Sequence, residues 1–254
     1  MKIILLFVAF VSLTMAQVPT PQKTRQVLLD FRLDRKITEV KIPPATERSI
    51  LSKLFRKYLR DSNRCNSNFD ASDGPDPLAA ARKAGEIVPS IIDMTTGSFT
   101  AAGQMQTLFV ISVNECNASH ADNFGTKRVA IFSGQQLLAN VDTDFASSIV
   151  RKTDLDRDGI DELLMTTGDM AQGTVTEMAT LVSFQNGRRR VIQDFGAVVE
   201  DSCASEMEGA TSEASVIYMS ETLVGMPKLT QENYSAPCRG KTRRWKLVSR
   251  GKRG

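Results

Sequence analysis

Histidine occurs once among the 254 residues, at His120, and tryptophan once, at Trp245. A single histidine excludes a His-rich zinc site. A single tryptophan is too little aromatic surface for a base-stacking platform. Cysteine is sparse as well. Cys65, Cys116, Cys203 and Cys238 stand 51, 87 and 35 residues apart, so no C-x2-C pair is available for structural zinc. The chain has no G-x-S-x-G elbow, no G-x-x-x-x-G-K-[ST] phosphate loop and no G-x-G-x-x-G fingerprint. Hydrolysis by two carboxylates stays open, because such residues can come from anywhere in a fold. Beyond the first segment, no stretch is apolar enough to span a bilayer.

That first segment reads MKIILLFVAFVSLTMAQ. Lys2 supplies the positive start, Ile3 to Leu13 the apolar run, and Thr14-Met15-Ala16 the approach to a cleavage point before Gln17. Residues 1–16 are therefore expected to be a signal peptide, with the product secreted or periplasmic and holding no membrane span. Eleven apolar residues are too few to cross ~30 Å of hydrocarbon. The remaining 238 residues suffice for a sizeable core. In an oxidising compartment four cysteines suggest two disulfides, with three pairings open.

Charge is unevenly placed. The whole chain is +3, and residues 239–254, RGKTRRWKLVSRGKRG, hold eight basic residues and no acidic one. Residues 17–238 are left with a net −6 by subtraction. The basic tail is a candidate contact for a polyanion through screened attraction, or a solvated tail around one short strand at WKLVS.

Residues 17–89 are expected to form a loose arm, a strand within 26–43 and two helices. The first helix runs from Glu47 to about Arg60, capped by Thr46, with Ile50, Leu51, Leu54, Phe55, Tyr58 and Leu59 on one face. The second, LAAARKAGEI, starts after Asp76-Pro77 and is ended by Pro89. A boundary near residue 90 opens a β-rich domain over 90–238. Two turn–strand–hairpin units of about 50–60 residues stand out there. Ser98 aligns with Asp154 and Phe132 with Phe184, at offsets of 56 and 52. The hairpins turn at Ser133-Gly134 and at Asn186-Gly187, the latter a type I′ signal. ASVIYMS, 214–220, reads as a further strand, and 201–213 and 221–244 as loops.

The segment TDLDRDGIDELLM carries the most specific chemistry. Asp154, Asp156 and Asp158 alternate, Gly159 permits a sharp turn, the carbonyl of Ile160 falls at the seventh place and Glu162 at the ninth. Calcium takes six to eight oxygens at ~2.3–2.6 Å, and alternate side chains of one loop can supply most of them. Crowded carboxylates repel without a cation. Asp161 is expected to point away, and Arg157 to offset charge from outside. An EF-hand needs a glutamate at the twelfth place and a following helix. Met165 and a strand-like ELLMTTG stand there instead.

The loop resembles the D-x-D-x-D-G-x-x-D loops of FG-GAP/VCBS repeats from integrin-type β-propellers, with Glu162 in place of the last aspartate. SFTAAGQMQ, 98–106, resembles a degenerate copy, with Ser98, Thr100, Ala102 and Gln106 at the ligand places and Gly103 retained; it is expected to bind no metal. The resemblance covers residues 97–195, room for two such units rather than a full propeller.

The expected fold is α+β: a small N-terminal helical part, then a β-rich domain of repeated hairpins, partial propeller-like or sandwich. Two functions compete. One is a calcium-ordered module with a structural or binding role toward a protein or glycan surface. The other is an extracellular or periplasmic hydrolase with a structural calcium. His120 reads as a loop histidine. Asn117 and Asn233 begin N-x-[ST] sequons.

Overall fold

The computed structural model describes residues 25–33, 35, 40–55, 58, 87–115, 126–144, 146–205, 209–220, 222, 225–238 and 243–252. The signal segment, the second helix before Ile87, residues 62–77, His120, Asn117, Cys65 and Cys116 lie outside them.

Strand β1, Arg25–Asp30, is followed by helix α1, Pro44–Leu54. Then come β2 Ile87–Gly97, β3 Gln106–Glu115, β4 Thr126–Ser133 and β5 Gln136–Asp142, forming one antiparallel sheet in that order. Next are β6 Ser148–Thr153, β7 Glu162–Ala171, β8 Thr174–Ser183 and β9 Arg190–Asp201. They continue through β10 Thr211–Ser220, β11 Leu229–Pro237 and β12 Lys246–Arg250 in a second antiparallel sheet, to which β1 adds by pairing with β10. The chain is β-rich, and among the described residues no helix is long and apolar enough to cross a membrane.

Period-two alternation builds the layers. Phe109, Ile111, Ala130 and Phe132 of the first sheet face Ile50 and Leu51 of α1 and Phe55 just after it. Leu108, Val110, Val129 and Ile131 face the other way, onto Leu163, Met165 and Val182 of the second sheet. Leu164 and Leu181 point to the far side and meet Leu28, Ile217 and Leu229. These last residues belong to the same sheet, so that sheet folds back on itself. The fold-back falls at β9–β10, where pairing is confined to residues 199–201 and 212–214. The Cys203–Cys238 disulfide, Cα–Cα 5.2 Å, closes the same corner and selects one of the possible pairings.

Strands β2–β5 and β6–β9 share one up-and-down order. Gly97 pairs with Gln106 and Thr153 with Glu162, both related by 56 residues. The second anchor of the proposed repeat is different. Thr107 pairs with Phe132 but its counterpart Leu163 pairs with Val182, so Phe132 corresponds to Val182 and not to Phe184. The longer β8–β9 loop, which carries a 3-10 turn at Gln185–Gly187 with Asn186 and Gly187 both at positive φ, takes up the difference.

Other expectations are also corrected. Helix α1 begins at Pro44 without a side-chain cap and ends at Leu54, where Phe55 turns extended. Pro at the start presets φ and needs no N–H partner. Pro89 does not end a helix but lies inside β2, an edge strand where a missing ladder donor is tolerated. The supposed loop 221–244 contains β11, and the basic tail contributes β12 to the sheet.

Candidate metal centre

The turn between β6 and β7 is built by its own aspartates. Asp154 accepts hydrogen bonds from the N–H groups of Asp158 at 3.1 Å and Gly159 at 3.0 Å. Asp156 accepts from Asp158 N–H at 3.3 Å, and Asp158 from Ile160 N–H at 2.8 Å. Gly159 sits at φ +83°, a left-handed conformation in which a side chain is strained. An added Cβ there would come 2.9 Å from the Ala102 side chain. The turn therefore needs glycine for its backbone and for its neighbour.

Glu162, the first residue of β7, is buried, and its Oε2 accepts from Leu155 N–H at 2.9 Å. Burial pushes its carboxyl up to about 7, against the Leu155 hydrogen bond and with help from Asp156, Asp158 and Asp154. One carboxylate oxygen each from Asp154, Asp156 and Glu162 lies within 4.8 Å of the others. These three of the predicted ligands are brought together. Asp158 is exposed and turned to the Ile160 N–H, and Ile160 buries its side chain.

The equivalent turn between β2 and β3 solves the same problem without carboxylates. Gln106 stands where Glu162 does and is almost fully buried. Its Oε1 accepts from Phe99 and Thr100 N–H, each at 2.9 Å, which fixes the amide orientation. Its Nε2 then donates inward to Thr100 Oγ1 at 2.7 Å and Gln104 Oε1 at 3.2 Å. Phe99, Thr100 and Gln104 correspond to Leu155, Asp156 and Ile160. Thus an amide N–H2 fills the middle of the first turn, where the second turn converges oxygens of Asp154, Asp156 and Glu162. That donor set, all oxygen and anionic, fits a hard cation such as calcium.

Asp161 has a role that its position in the motif hides. Its N–H donates to Ser98 O at 2.7 Å and its Oδ2 accepts from Ser98 N–H at 2.9 Å. The acidic turn is clasped to the first turn, and so to the other sheet. Asn186 N–H adds a bond to Thr100 O at 2.9 Å, Ile149 N–H one to Asp93 Oδ2 at 2.7 Å, and Lys152 Nζ one to Thr96 O. Asp93 and Ile149, like Thr96 and Lys152, are 56 residues apart, so matching points of the two units face each other. A cavity of about 360 Å³ opens beside the acidic turn, bordered by Asp154, Arg157, Met219 and Ser220.

A second carboxyl-and-thiol group, Asp201 with Cys203 and Cys238, is not a metal candidate, because both sulfurs are in the disulfide. The Asn233 sequon is committed to the fold. Its side chain is buried and donates to Ser249 Oγ and Gly251 O. The basic end spends part of its charge internally, through Arg243–Asp201, Arg250–Glu232 and Lys252–Asp194.

Comparisons with family models, with curated proteins and with solved structures return no match.

Proposed function

We propose that this chain is an exported calcium-binding β-rich module in which the ion ties two four-stranded units together and steadies a surface for a protein or glycan partner. Asp154, Asp156 and Glu162 are its central ligands, joined by the Ile160 carbonyl and Asp158. The supporting observation is the exchange at one structural position. The first turn holds an inward amide donor from Gln106, and the second presents the Glu162 carboxylate among aspartates. When bound, calcium supplies the positive charge that those oxygens otherwise lack.

The protein's own residues pass that order outward. Leu155 N–H holds Glu162, Gly159 carries the bend, and Asp161 fastens the turn to Ser98. The reading extends the resemblance to FG-GAP/VCBS repeats, with the two units as propeller-like blades. The bonds between equivalent residues, Asp93 with Ile149 and Thr96 with Lys152, support it. The Cys203–Cys238 disulfide suits an oxidising compartment, secreted or periplasmic, as expected behind a signal peptide.

Calcium titrated into the chelator-treated protein should raise its Tm, because only the folded state gathers the ligands. Saturation at about 100 Kd corresponds to ~2.7 kcal/mol. Asp156→Asn should abolish most of the rise. Identical melting of the wild-type protein in calcium and in chelator defeats the reading.

A further inference from the structure

The 3-10 turn at Gln185–Gly187 is followed by three consecutive arginines, Arg188, Arg189 and Arg190, which line an open cavity of about 540 Å³ together with Gln185 and Asn186. Their arrangement is not that of a loose basic loop. Phe184 is fully buried just before the turn. Asn186 N–H is bonded to Thr100 O and Gly187 N–H to Phe184 O. After the turn the backbone is extended at Arg188, and Arg190 pairs with Ser183 as the first residue of β9.

Extended backbone sends alternate side chains to opposite sides. Arg189 turns inward, three-quarters or more buried, and its NH1 donates to Asp144 Oδ2 at 2.7 Å. Arg188 and Arg190 are exposed, and neither has an ion pair among the described residues. Two residues of extended chain place their Cα atoms roughly 6.5–7 Å apart. The Arg189–Asp144 pair anchors the middle of the segment, and the exposed Arg188 and Arg190 flank it at a concavity whose rim also carries the Gln185 and Asn186 side-chain amides.

From this geometry we infer that the β8–β9 turn is an oxyanion-binding site, gripping a sulfate or phosphate group between Arg188 and Arg190. Guanidinium forks match the oxygens of such groups in geometry as well as charge. The ligand group comes either as a free anion or as the ester of a sulfated polysaccharide. The site is separate from the acidic turn and does not depend on calcium.

The test uses the full chain in chelator, with inorganic sulfate, inorganic phosphate and a heparin-derived oligosaccharide as three probes, read by calorimetry at low and physiological salt. The R188Q/R190Q double variant should weaken binding of every active probe by about tenfold or more, from loss of two charge-assisted contacts. A charge-matched variant in the C-terminal segment, R244Q/K246Q, should change it less than about threefold. Both pairs are exposed, so unchanged Tm values certify folding. Binding of the oligosaccharide but not the free anions identifies a polysaccharide ester as the ligand. Binding of both identifies the anion group itself. Two results overturn the proposal: no binding of any probe, or equal losses in the two variants.

Discussion

Gln106 and Glu162 occupy the same place in two successive turns, and each accepts a hydrogen bond from the backbone N–H seven residues before it, Phe99 in one case and Leu155 in the other, both at 2.9 Å. The two side chains have the same length and differ in one terminal group. In the first turn that group is a donor that closes the structure. In the second it is a further acceptor among aspartates.

Glu162→Gln should therefore convert the second turn to the logic of the first. In chelator the variant should be more stable than the parent, since a neutral amide replaces a carboxyl that burial disfavours as an anion. A gain of about 1 kcal/mol, or roughly 2–4 °C for a chain of this size, is expected. In calcium the order should reverse. A variant that keeps the full calcium-dependent rise in Tm removes Glu162 from the ligand set.

Gly97→Ala should loosen the clasp between the turns. An added Cβ would lie 2.3 Å from Asp161 Oδ2, the oxygen that accepts from Ser98 N–H. The carboxylate must move, at a cost of about 1–3 kcal/mol. Urea unfolding should show it. Calcium should also stabilise this variant less, because the turn is no longer fastened to the first sheet.

Acid should act through Glu232. Arg25 holds its carboxyl down to about 2, with burial opposing and Tyr234 assisting. A depressed carboxyl gives stability that is complete above the ordinary carboxylate range and is lost as pH falls through the folded value. Glu232→Gln should thus be less stable near neutrality by up to about 3 kcal/mol, reduced by the exposure of Arg25 and Arg250. The gap should close between about pH 5 and pH 2. Parallel acid titrations of the two proteins, followed by urea melts, decide it.

Removing the disulfide through C203S/C238S should cost about 2–4 kcal/mol, the usual range for a bridge over a loop of this order, here 35 residues. Hydrogen exchange should rise first at residues 199–201 and 212–214, where β9 and β10 share only a short ladder. Uniform exchange across the sheet would place the bridge's effect elsewhere.

The acidic turn was readable from sequence because alternation and a glycine encode its curvature directly. Asp161 was not, since its partner Ser98 comes from a turn 63 residues earlier and no local pattern marks it. Strand β11, LTQENYSAP, lacks the apolar alternation that signals a strand. Its buried Gln231 Nε2, Glu232 carboxylate and Asn233 Nδ2 are instead bonded by Ser215, Arg25, Tyr234 and Ser249. Polar satisfaction of that kind depends on tertiary neighbours. Pro89 misled for a related reason: whether proline breaks a strand depends on whether the strand is at an edge, which is a property of the whole sheet. The β2–β5 and β6–β9 units show through as a repeat only where their ladders match, at the first turn and strand. Past the unequal hairpins the spacing drifts.

Pairing of β1 with Val216–Ser220 joins segments about 190 residues apart. At a synthesis rate of about 5–20 residues per second, the leading strand would wait roughly 10–40 s for its neighbour to emerge. Completion of the β1–β10 edge is thus a late, long-range closure, whatever the earlier meanders have already formed. Throughout that delay the strand's backbone donors and acceptors are open to the wrong template, so production of intact protein is tied to keeping Arg25–Asp30 away from strangers.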